Sequence, residues 1–374
     1  MILISLFITI IYLLLIGSFI FGFDKIPVFH LEDITSKTKF SIVIPFRNEA
    51  ENLSSLLNSI ECLNYPKHLF EIIFVDDDSE DNSVDIIKKA LNGTKENIQI
   101  VLNNRKTNSP KKDAITSALE KAKYEWIITT DADCILPKYW LDSFDEFIQK
   151  NNSVFIAAPV SYTRNNSFLN RFQTLDILSL QGATIGGFGL NKPFLCNGAN
   201  LAYKASIFNE VNGFQGNTNI ASGDDIFLLE KVHKKQPTQV HYLKCKKAIV
   251  KTKSQPTWSA LISQRRRWAA KTSSYNNLFG KLTGLAVLLM NILIIIGLLM
   301  SFLGVLKFKT FFYIIFIKFN IDFFLIYKSS LFFNQKDILK SYISGFIVYP
   351  FFSIYIAFTS SFSGYKWKGR YFKK

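Results

Sequence analysis

The chain has 374 residues, of which 48% are hydrophobic and 15% aromatic, and its formal net charge is +15. This length exceeds that of one small domain, and the apolar content excludes an intrinsically disordered chain. The four cysteines are far apart, with no C-x-x-C pair and no histidine at ligand spacing, so we expect no zinc site, and free thiols suit a reducing compartment.

The N-terminal segment, residues 2–23, contains no charged residue and is long enough to cross a bilayer. It has no basic n-region, its apolar run is longer than that of a cleaved signal peptide, and no A-x-A site follows it. We therefore expect an uncleaved transmembrane anchor, followed by a linker over residues 24–39.

From residue 40 onward, strand-like and helix-like segments alternate, which is typical of an α/β sheet built from βαβ units. The predicted strands are short, β-branched and apolar, as strands buried on both faces should be: 40–46, 71–77, 98–103, 126–131 and 153–160. The predicted helices cover 49–63, 82–91 with Gly93 as a stop, 112–123 and 138–150. We assign residues 40–256 to this domain.

Acidic and polar residues follow three of these predicted strands, at the edge where ligands bind in open sheets of this kind. They are Pro45-Phe46-Arg47-Asn48-Glu49, Asp76-Asp77-Asp78-Ser79 and Asp131-Ala132-Asp133. A hard cation such as Mg²⁺ prefers oxygen ligands and usually takes one or two carboxylates plus phosphate oxygens. Short acidic runs are also common in solvated turns and helix caps, so the residues alone leave both interpretations open.

The C-terminal part begins with a predicted helix over residues 257–275 that carries Q-R-R-R-W at 264–268, within an interfacial segment assigned to 257–281. A membrane region follows over 282–374, in which 282–306 is uncharged. Basic residues gather at the borders of the apolar segments, at 265–267, Lys271, Lys281 and 366–374. That placement fits the positive-inside rule and anionic lipid better than a nucleic-acid groove.

The number of C-terminal crossings is less plain, because segment 310–333 carries Lys318, Asp322 and Lys328 whereas 342–362 is a cleaner span. If all three segments crossed, the basic tail would lie on the side opposite the sheet domain, against the positive-inside rule. We therefore expect two to three membrane helices here and favour two, with 310–333 re-entrant, interfacial or packed within a bundle.

Seven blocks in order resemble an inverting family-2 glycosyltransferase with a GT-A fold. The blocks are S-I-V-I-P-F-R-N-E-A-E-N-L (41–53), V-D-D-D-S-E-D-N-S (75–83), S-P-K-K-D-A-I-T-S-A-L (109–119), T-T-D-A-D-C (129–134), C-N-G-A-N-L-A-Y-K-A-S-I-F (196–208), S-G-D-D-I-F-L-L-E-K (222–231) and Q-R-R-R-W (264–268). The resemblance implies a Rossmann-like mixed sheet and binding of a nucleotide sugar.

The resemblance implies that Asp77, with Glu49 behind it, contacts the nucleotide base. The family's usual D-D-G-S is here Asp76-Asp77-Asp78-Ser79, which leaves open which aspartate makes that contact. Lys111 or Lys112 would approach the ribose or phosphates, in a block where Ser-Pro replaces the family's glycine. The alternative for these lysines is a solvated helix face.

The same resemblance implies that Asp131 and Asp133 hold Mg²⁺ or Mn²⁺ on the donor diphosphate. It also implies that Asp225 is the catalytic base, with Asp224 beside it. Paired carboxylates raise one another's pKa, which suits a proton acceptor working near neutral pH. Alternatively, the two acids simply complement a helix dipole.

Three residues of the Q-R-R-R-W block match the family's functional positions: Gln264, Arg267 and Trp268. Arginine can pair with a diphosphate and tryptophan can stack on a sugar ring, whereas Arg265 and Arg266 are expected only to meet lipid. Residues 196–203 resemble an acceptor-side loop, in which Gly198 would allow close approach of the substrate. Asn197 and Asn200 are weaker candidates for acceptor contacts.

We therefore expect a multi-pass plasma-membrane enzyme with a cytoplasmic catalytic domain, which transfers a sugar from a nucleotide sugar, expected to be a UDP-sugar, to a lipid or glycan. Processive polysaccharide synthesis and nonprocessive lipid glycosylation both stay open. A noncatalytic membrane-tethered binder of polyanions is the alternative of another class. An acidic cleft argues against that binder and against a nucleic-acid partner, because carboxylates repel a polyanion.

Overall fold

The computed structural model describes residues 2–91, 97–271, 276–362, 365–367 and 370–372, so the predicted stop at Gly93 and the end of the predicted helix at Tyr275 lie outside the described residues. The chain divides into two compact units. The sheet unit comprises Pro27–Thr163 and Leu195–Lys253; the helical unit comprises Met1–Ile26, Arg164–Phe194 and Ser254–Lys374. Residues 164–194, inside the segment assigned to the α/β domain, thus belong to the helical unit.

Strands and helices are numbered along the chain. The strands are β1 Phe40–Phe46, β2 Phe70–Asp76, β3 Ile98–Leu102, β4 Trp126–Thr129, β5 Cys134–Ile135, β6 Phe155–Ala157, β7 Val160–Tyr162, β8 Leu201–Lys204, β9 Val240–Tyr242, β10 Val250–Thr252, β11 Tyr365–Trp367 and β12 Arg370–Phe372. The α-helices are α1 Ile2–Lys25, α2 Ala50–Glu61, α3 Ser83–Leu91, α4 Pro110–Leu119, α5 Trp140–Lys150, α6 Phe168–Gly189, α7 Ala205–Glu210, α8 Asp224–Lys235, α9 Trp258–Ala270, α10 Leu278–Phe302, α11 Phe308–Phe332 and α12 Tyr342–Phe362.

The main sheet of the sheet unit has the strand order β3-β2-β1-β4-β8-β6-β9 in the described residues. The first four of these strands run parallel, and β8 pairs antiparallel with both β4 and β6. A small second sheet has the order β5-β10-β7. The predicted mixed α/β sheet is confirmed.

The central strands are buried on both faces, as their continuous apolar runs predict. Ile42, Val43 and Ile44 of β1 are all fully buried, and α2 packs Leu53 and Leu56 into the same core. The prediction is wrong for β3, which is only half-buried because it forms the edge of the sheet. The single strand predicted over 153–160 is two strands in different sheets, β6 and β7, separated at Ala158-Pro159.

The helical unit holds α1, α6 and α9 to α12. Four helices in the described residues are long and apolar enough to cross a membrane: Ile2–Lys25, Leu278–Phe302, Phe308–Phe332 and Lys336–Ser360. One is N-terminal and three are C-terminal, the upper end of the predicted range. Helices α1 and α6 pack closely at Gly22 and Gly186. A Cβ on Gly22 would lie 2.2 Å from the Gly186 carbonyl oxygen, so this backbone contact requires glycine.

Residues 310–332 lie within one continuous helix, α11, and Phe333 caps it, so these residues contain no re-entrant turn. Its charged residues have partners in the same unit. The Asp322 carboxylate accepts hydrogen bonds of 2.6 Å from both the Tyr12 hydroxyl and the Lys318 ammonium, and Lys328 pairs with Asp24 at 2.8 Å. Packing within a bundle is the predicted alternative that agrees with these contacts.

Candidate functional site

The carboxyl ends of three parallel strands meet at one edge of the main sheet. The register pairs Phe46 of β1 with Asp76 of β2, and Val43 of β1 with Thr129 of β4. The acidic residues that follow β2 and β4 therefore leave the sheet at the same edge, as the sequence predicts.

The turn after β2 explains why aspartate can replace the family's glycine. Asp78 has a positive φ of 65°, a conformation that glycine adopts freely and that aspartate tolerates better than most residues. Asp76 closes the turn, since its Oδ1 accepts a hydrogen bond of 3.0 Å from the Ser79 backbone N–H. The third position of this turn thus has a backbone conformation that glycine would also adopt.

Asp77 has two cationic or polar neighbours that sequence reasoning missed. Its Oδ1 accepts hydrogen bonds from Arg105 Nε at 2.6 Å and from Asn103 Nδ2 at 2.7 Å. Both residues follow β3, so the rule that polar residues collect at the carboxyl ends of parallel strands could have found them. Glu49 is also buried. Its N–H donates to Ser83 Oγ at 2.8 Å, and its carboxylate accepts a hydrogen bond from the Asn52 side chain.

Asn103 connects this acidic turn to the start of α4. Its side-chain amide donates both to Asp77 Oδ1 and, at 3.0 Å, to the carbonyl oxygen of Pro110. Lys111 is the next residue along the chain, so the aspartate turn and the lysine block are adjacent in the fold.

Lys111 lies between the carboxylates that follow β4 and those that begin α8. Its Nζ is 2.7 Å from Asp131 Oδ1 and 3.3 Å from Asp224 Oδ2. Burial alone would lower the pKa of Lys111, but the negative charges of Asp131, Asp224 and Asp225 outweigh it, so that pKa is raised. The lysine is therefore a fixed positive charge in an acidic cleft.

Asp224 and Asp225 form the first turn of α8, which begins after Gly223 at a positive φ of 86°. Asp225 accepts two backbone hydrogen bonds, from the Gly198 N–H at 3.1 Å and from its neighbour Ile226 N–H at 2.8 Å. A Cβ on Gly198 would lie 2.9 Å from Asp224 Oδ2 and 3.3 Å from Lys111 Nζ. A side chain at this position would crowd Asp224 and Lys111, and the predicted approach of a substrate to Gly198 stays a prediction. Gly198 joins the predicted base to the predicted acceptor loop.

Lys112, the other lysine that the sequence predicts near the donor, is a structural residue. It is 1% exposed, and its Nζ donates to the carbonyl oxygens of Asn217 at 2.7 Å and Ile220 at 2.8 Å. These carbonyls belong to the loop that leads into Gly223 and α8. Of the two lysines, Lys111 is the one that contacts the acidic cleft.

The predicted acceptor-side loop contains a residue with a structural role. Asn200 is fully buried, and its amide is used by the Pro159 and Ala248 carbonyls and the Trp140 Nε1–H. That set of partners commits Asn200 to the core, so the weaker prediction for it is wrong. Asn197 is half-buried, and its role stays a prediction.

The cleft residues could supply part of the coordination shell of a hard divalent cation. Asp131 and Asp133 are both half-exposed carboxylates on a short turn. The described residues contain no group of three or more His, Cys, Asp or Glu placed to hold a metal ion. A cation here would complete its shell with phosphate oxygens or water, as Mg²⁺ and Mn²⁺ do. Cys134 is no soft ligand, because burial raises the pKa of its thiol.

Five buried hydroxyls in the described residues lack a hydrogen-bond partner, and those of Ser109 and Ser222 are two of them. Each precedes a cleft residue by two positions, Lys111 and Asp224 respectively. Buried polar groups normally have partners, so these two are candidate contacts for a polar ligand.

The Q-R-R-R-W block lies on α9 in the helical unit, which the structure ends at Ala270. Gln264, Arg267 and Trp268 are half-buried, and their contact with donor or acceptor stays a prediction. The expectation that Arg265 only meets lipid is wrong. Arg265 is buried and pairs with Asp176 of α6, its Nε lying 2.8 Å from Asp176 Oδ2.

Part of the chain that carries these residues matches a known protein family. The model of the glycosyl transferase family 2 matches residues 41–211. These residues form a glycosyl transferase family 2 domain. The match begins in β1 and ends just after α7, so this family 2 domain contains Asp77, Lys111, Asp131 and Gly198, while Asp224 and Asp225 follow it.

Curated relatives resemble this chain over part of their length. Poly(ribitol-phosphate) β-N-acetylglucosaminyltransferase TarS of Staphylococcus aureus is 31% identical over 115 residues, which is 31% of this chain and 20% of TarS. Poly-β-1,6-N-acetyl-D-glucosamine synthase of Staphylococcus epidermidis is 29% identical over 147 residues, 38% of this chain and 33% of the synthase. Glycosyltransferase AglE of Haloferax volcanii is 23% identical over 196 residues, 52% of this chain and 61% of AglE. The chain thus spans less than two thirds of each relative.

A solved structure confirms the predicted GT-A fold. The mannosyltransferase PcManGT from Pyrobaculum calidifontis, in complex with GDP-Man and Mn²⁺, superposes with a TM-score of 0.57 at 14% sequence identity. The match covers 96% of this chain and 99% of that one. At this identity the likeness establishes the fold alone.

Proposed function

We propose that this chain is a membrane-bound glycosyltransferase that moves a sugar from a nucleotide-sugar donor to a lipid or glycan acceptor in a single inverting displacement. The observation that carries the proposal is the contact of Lys111 with Asp131 and Asp224, next to Asp225 and Gly198, within and beside a family 2 domain. These contacts bring an ammonium group and three carboxylates together, which supports a site for a metal-bound diphosphate beside a proton acceptor.

The donor nucleotide would bind at the turn after β2. Asp77, held by Arg105 and Asn103, and Glu49 behind it would recognise the base, and Arg105 is a further cation within reach of the ribose or phosphates. Two relatives carry N-acetylglucosamine in their names, so UDP-N-acetylglucosamine is the first donor to test.

Asp131 and Asp133 would hold Mg²⁺ or Mn²⁺, which when bound offsets the negative charge on the departing diphosphate. Lys111 would place its ammonium against the same phosphates. The family resemblance also makes Gln264 and Arg267 candidates for contact with a diphosphate, and Trp268 a candidate for stacking on a sugar ring.

Asp225 would accept the proton of the acceptor hydroxyl. Its carboxylate is held by the Gly198 and Ile226 N–H groups, which fixes its direction before the acceptor binds. Asp224, which contacts Lys111, would keep the lysine beside the donor. No covalent sugar–enzyme intermediate is needed in such an inverting transfer, because the acceptor oxygen attacks the anomeric carbon as the nucleoside diphosphate leaves.

The membrane helices support a membrane-associated acceptor, such as a lipid-linked or growing glycan. The basic residues at 265–267, Lys271 and Lys281 support a sheet unit in the cytoplasm of a plasma-membrane protein. The basic C-terminal tail agrees with that orientation only if two of the three C-terminal helices cross the membrane. Product length separates the two candidate activities: a ladder of sugars indicates a processive polysaccharide synthase, and a single added sugar indicates a lipid glycosyltransferase.

The test is incubation of membranes containing the chain with Mn²⁺ and a panel of nucleotide sugars, followed by mass spectrometry of the products. We expect one sugar to be transferred, with loss of transfer in Asp225→Asn. Binding of polyanions that is insensitive to Mn²⁺ and nucleotide sugars, with no product from any donor, would instead support a noncatalytic tethered binder.

A further inference from the structure

The helical unit contains a buried ion pair that joins α6 to α9. Arg265 and Asp176 have side chains that are 7% and 6% exposed, and the Arg265 Nη2 lies 2.6 Å from Asp176 Oδ2. Asp176 belongs to none of the motifs that the sequence presents. A buried ion pair is costly to form and adds little net stability over an apolar pair, so its presence calls for a reason besides stability.

Arg265 also contacts two other residues of the Q-R-R-R-W block. Its Nη1 donates to the Gln264 side-chain oxygen, and its guanidinium carbon lies 4.2 Å from the centre of the Trp268 ring. Residues three apart lie on the same face of a helix, which allows the guanidinium to cover the indole. One side chain therefore contacts both Gln264 and Trp268 while Asp176 fixes its charged end.

Helix α6 also forms hydrogen bonds with the residues that lead into α9. Asn170, Gln173 and Asp176 are spaced by three, so they share one face of α6, and all three are buried. Asn170 donates to Ser254 Oγ at 2.8 Å, and Gln173 exchanges hydrogen bonds of 2.9 Å and 2.8 Å with the Gln255 backbone. This polar face of α6 thus contacts α9 and the residues that lead into it.

We propose that the Asp176–Arg265 pair positions Gln264 and Trp268 for sugar transfer, through Arg265. Asp176 and Arg265 are positioning residues: Asp176 orients the guanidinium, and the guanidinium sets the rotamers of the glutamine and the indole. This inference rests on the proposed glycosyltransferase activity, but its spectroscopic test does not need that activity.

The kinetic test is a double-mutant cycle with Arg265→Lys. Lysine keeps the positive charge opposite Asp176 but has neither the planar face for Trp268 nor a second nitrogen that reaches Gln264 while the first contacts Asp176. We expect kcat to fall by about tenfold with little change in the donor KM or in the melting temperature, since small misplacements of substrate-positioning groups have effects of this size. In a Gln264→Ala, Trp268→Phe background the same change should lower kcat by less than about twofold, because its targets are already gone. Arg266→Lys, the same change one residue along, is the control.

The spectroscopic test is the fluorescence of Trp268 in the purified full-length chain. Arg265→Lys and Asp176→Asn should each change the emission in the wild-type background and leave it unchanged in a Trp268→Phe background. An Arg265→Lys protein with wild-type kcat and wild-type emission overturns the proposal, as does a kinetic effect of equal size in both backgrounds. If no nucleotide sugar is turned over by the wild type, the proposed function fails, while the emission result still decides whether the pair positions Trp268.

Discussion

The ammonium of Lys111 lies 2.7 Å from the carboxylate of Asp131, the aspartate that the sequence singled out for a metal ion. A second carboxylate, that of Asp224, lies 3.3 Å from the same ammonium. The chain therefore supplies its own counter-ion to the cleft. A divalent cation that binds Asp131 must share the carboxylate with Lys111 or displace it.

Lys111→Met is expected to strengthen Mn²⁺ binding to the donor-free protein by about three- to tenfold, because it removes a like charge from the cleft. The same variant should lower sugar transfer, because the donor diphosphate loses its proposed contact with the Lys111 ammonium. Since the pKa of Lys111 is raised, the lysine stays charged and the difference in Mn²⁺ affinity should persist from about pH 6 to pH 9. Calorimetric titration of Mn²⁺ measures this.

Lys106→Met is the matched control for that titration, because Lys106 is exposed and pairs with Glu120 at 3.6 Å outside the cleft. Equal Mn²⁺ affinity in the wild type, Lys111→Met and Lys106→Met would contradict the competition.

Lys112→Met should destabilise the sheet unit rather than act on donor binding. The change removes the ammonium donor from both carbonyls; the Asn217 carbonyl keeps the Ile220 N–H, and loss of the Ile220 partner costs about 1–3 kcal/mol for a buried polar group. Thermal unfolding monitored by circular dichroism measures the loss. A wild-type melting temperature would show that the loop before α8 does not depend on Lys112.

Gly198→Ala should lower kcat by about tenfold or more, because the new Cβ would lie 2.9 Å from Asp224 and must push that carboxylate and Lys111 aside. Gly284→Ala is the control, since a Cβ at Gly284 on α10 meets no atom within 4 Å. Steady-state kinetics with the identified donor separates the two, and equal kcat values for both variants would refute the close approach at Gly198.

Asp78→Gly should keep donor binding close to that of the wild type, because glycine adopts the positive φ of 65° without strain. Asp78→Val should weaken donor binding, because a β-branched residue is strongly disfavoured at that φ and the turn that carries Asp77 must change. Dissociation constants for the nucleoside diphosphate measure both. Equal constants for the two variants would show that the turn conformation does not matter.

The central strands could be predicted from the sequence because each is recognisable from its own run of apolar, β-branched residues. The prediction failed at residues 153–160, where Pro159, which has no backbone N–H, separates β6 from β7. Strand β3 has the same apolar pattern as its neighbours, and only the strand order places it at the sheet edge. Sheet order is a tertiary property that a local pattern does not contain.

In the candidate site, too, the residues within sequence motifs could be predicted and those that depend on tertiary contacts could not. Asp77, Asp131, Gly198 and Asp225 were found because they fall in motifs. Arg105 was missed although it follows a strand end, and the Asp176–Arg265 pair could not be found, since its members are 89 positions apart and Asp176 lies in no motif. Which of the adjacent lysines contacts the cleft also needed the structure, because the two share the same sequence context.

The central claim is that Asp225 takes the acceptor proton, and the most direct measurement compares sugar transfer by the wild type, Asp225→Asn and Asp85→Asn. Asp85 is an exposed acid on α3, so it controls for loss of one carboxylate. Transfer is measured as product formed per minute with the identified donor, alongside the dissociation constant of the nucleoside diphosphate. We predict that Asp225→Asn lowers kcat by at least about 100-fold with unchanged nucleotide affinity, while Asp85→Asn behaves as the wild type. Near-wild-type transfer by a folded Asp225→Asn protein would contradict the account.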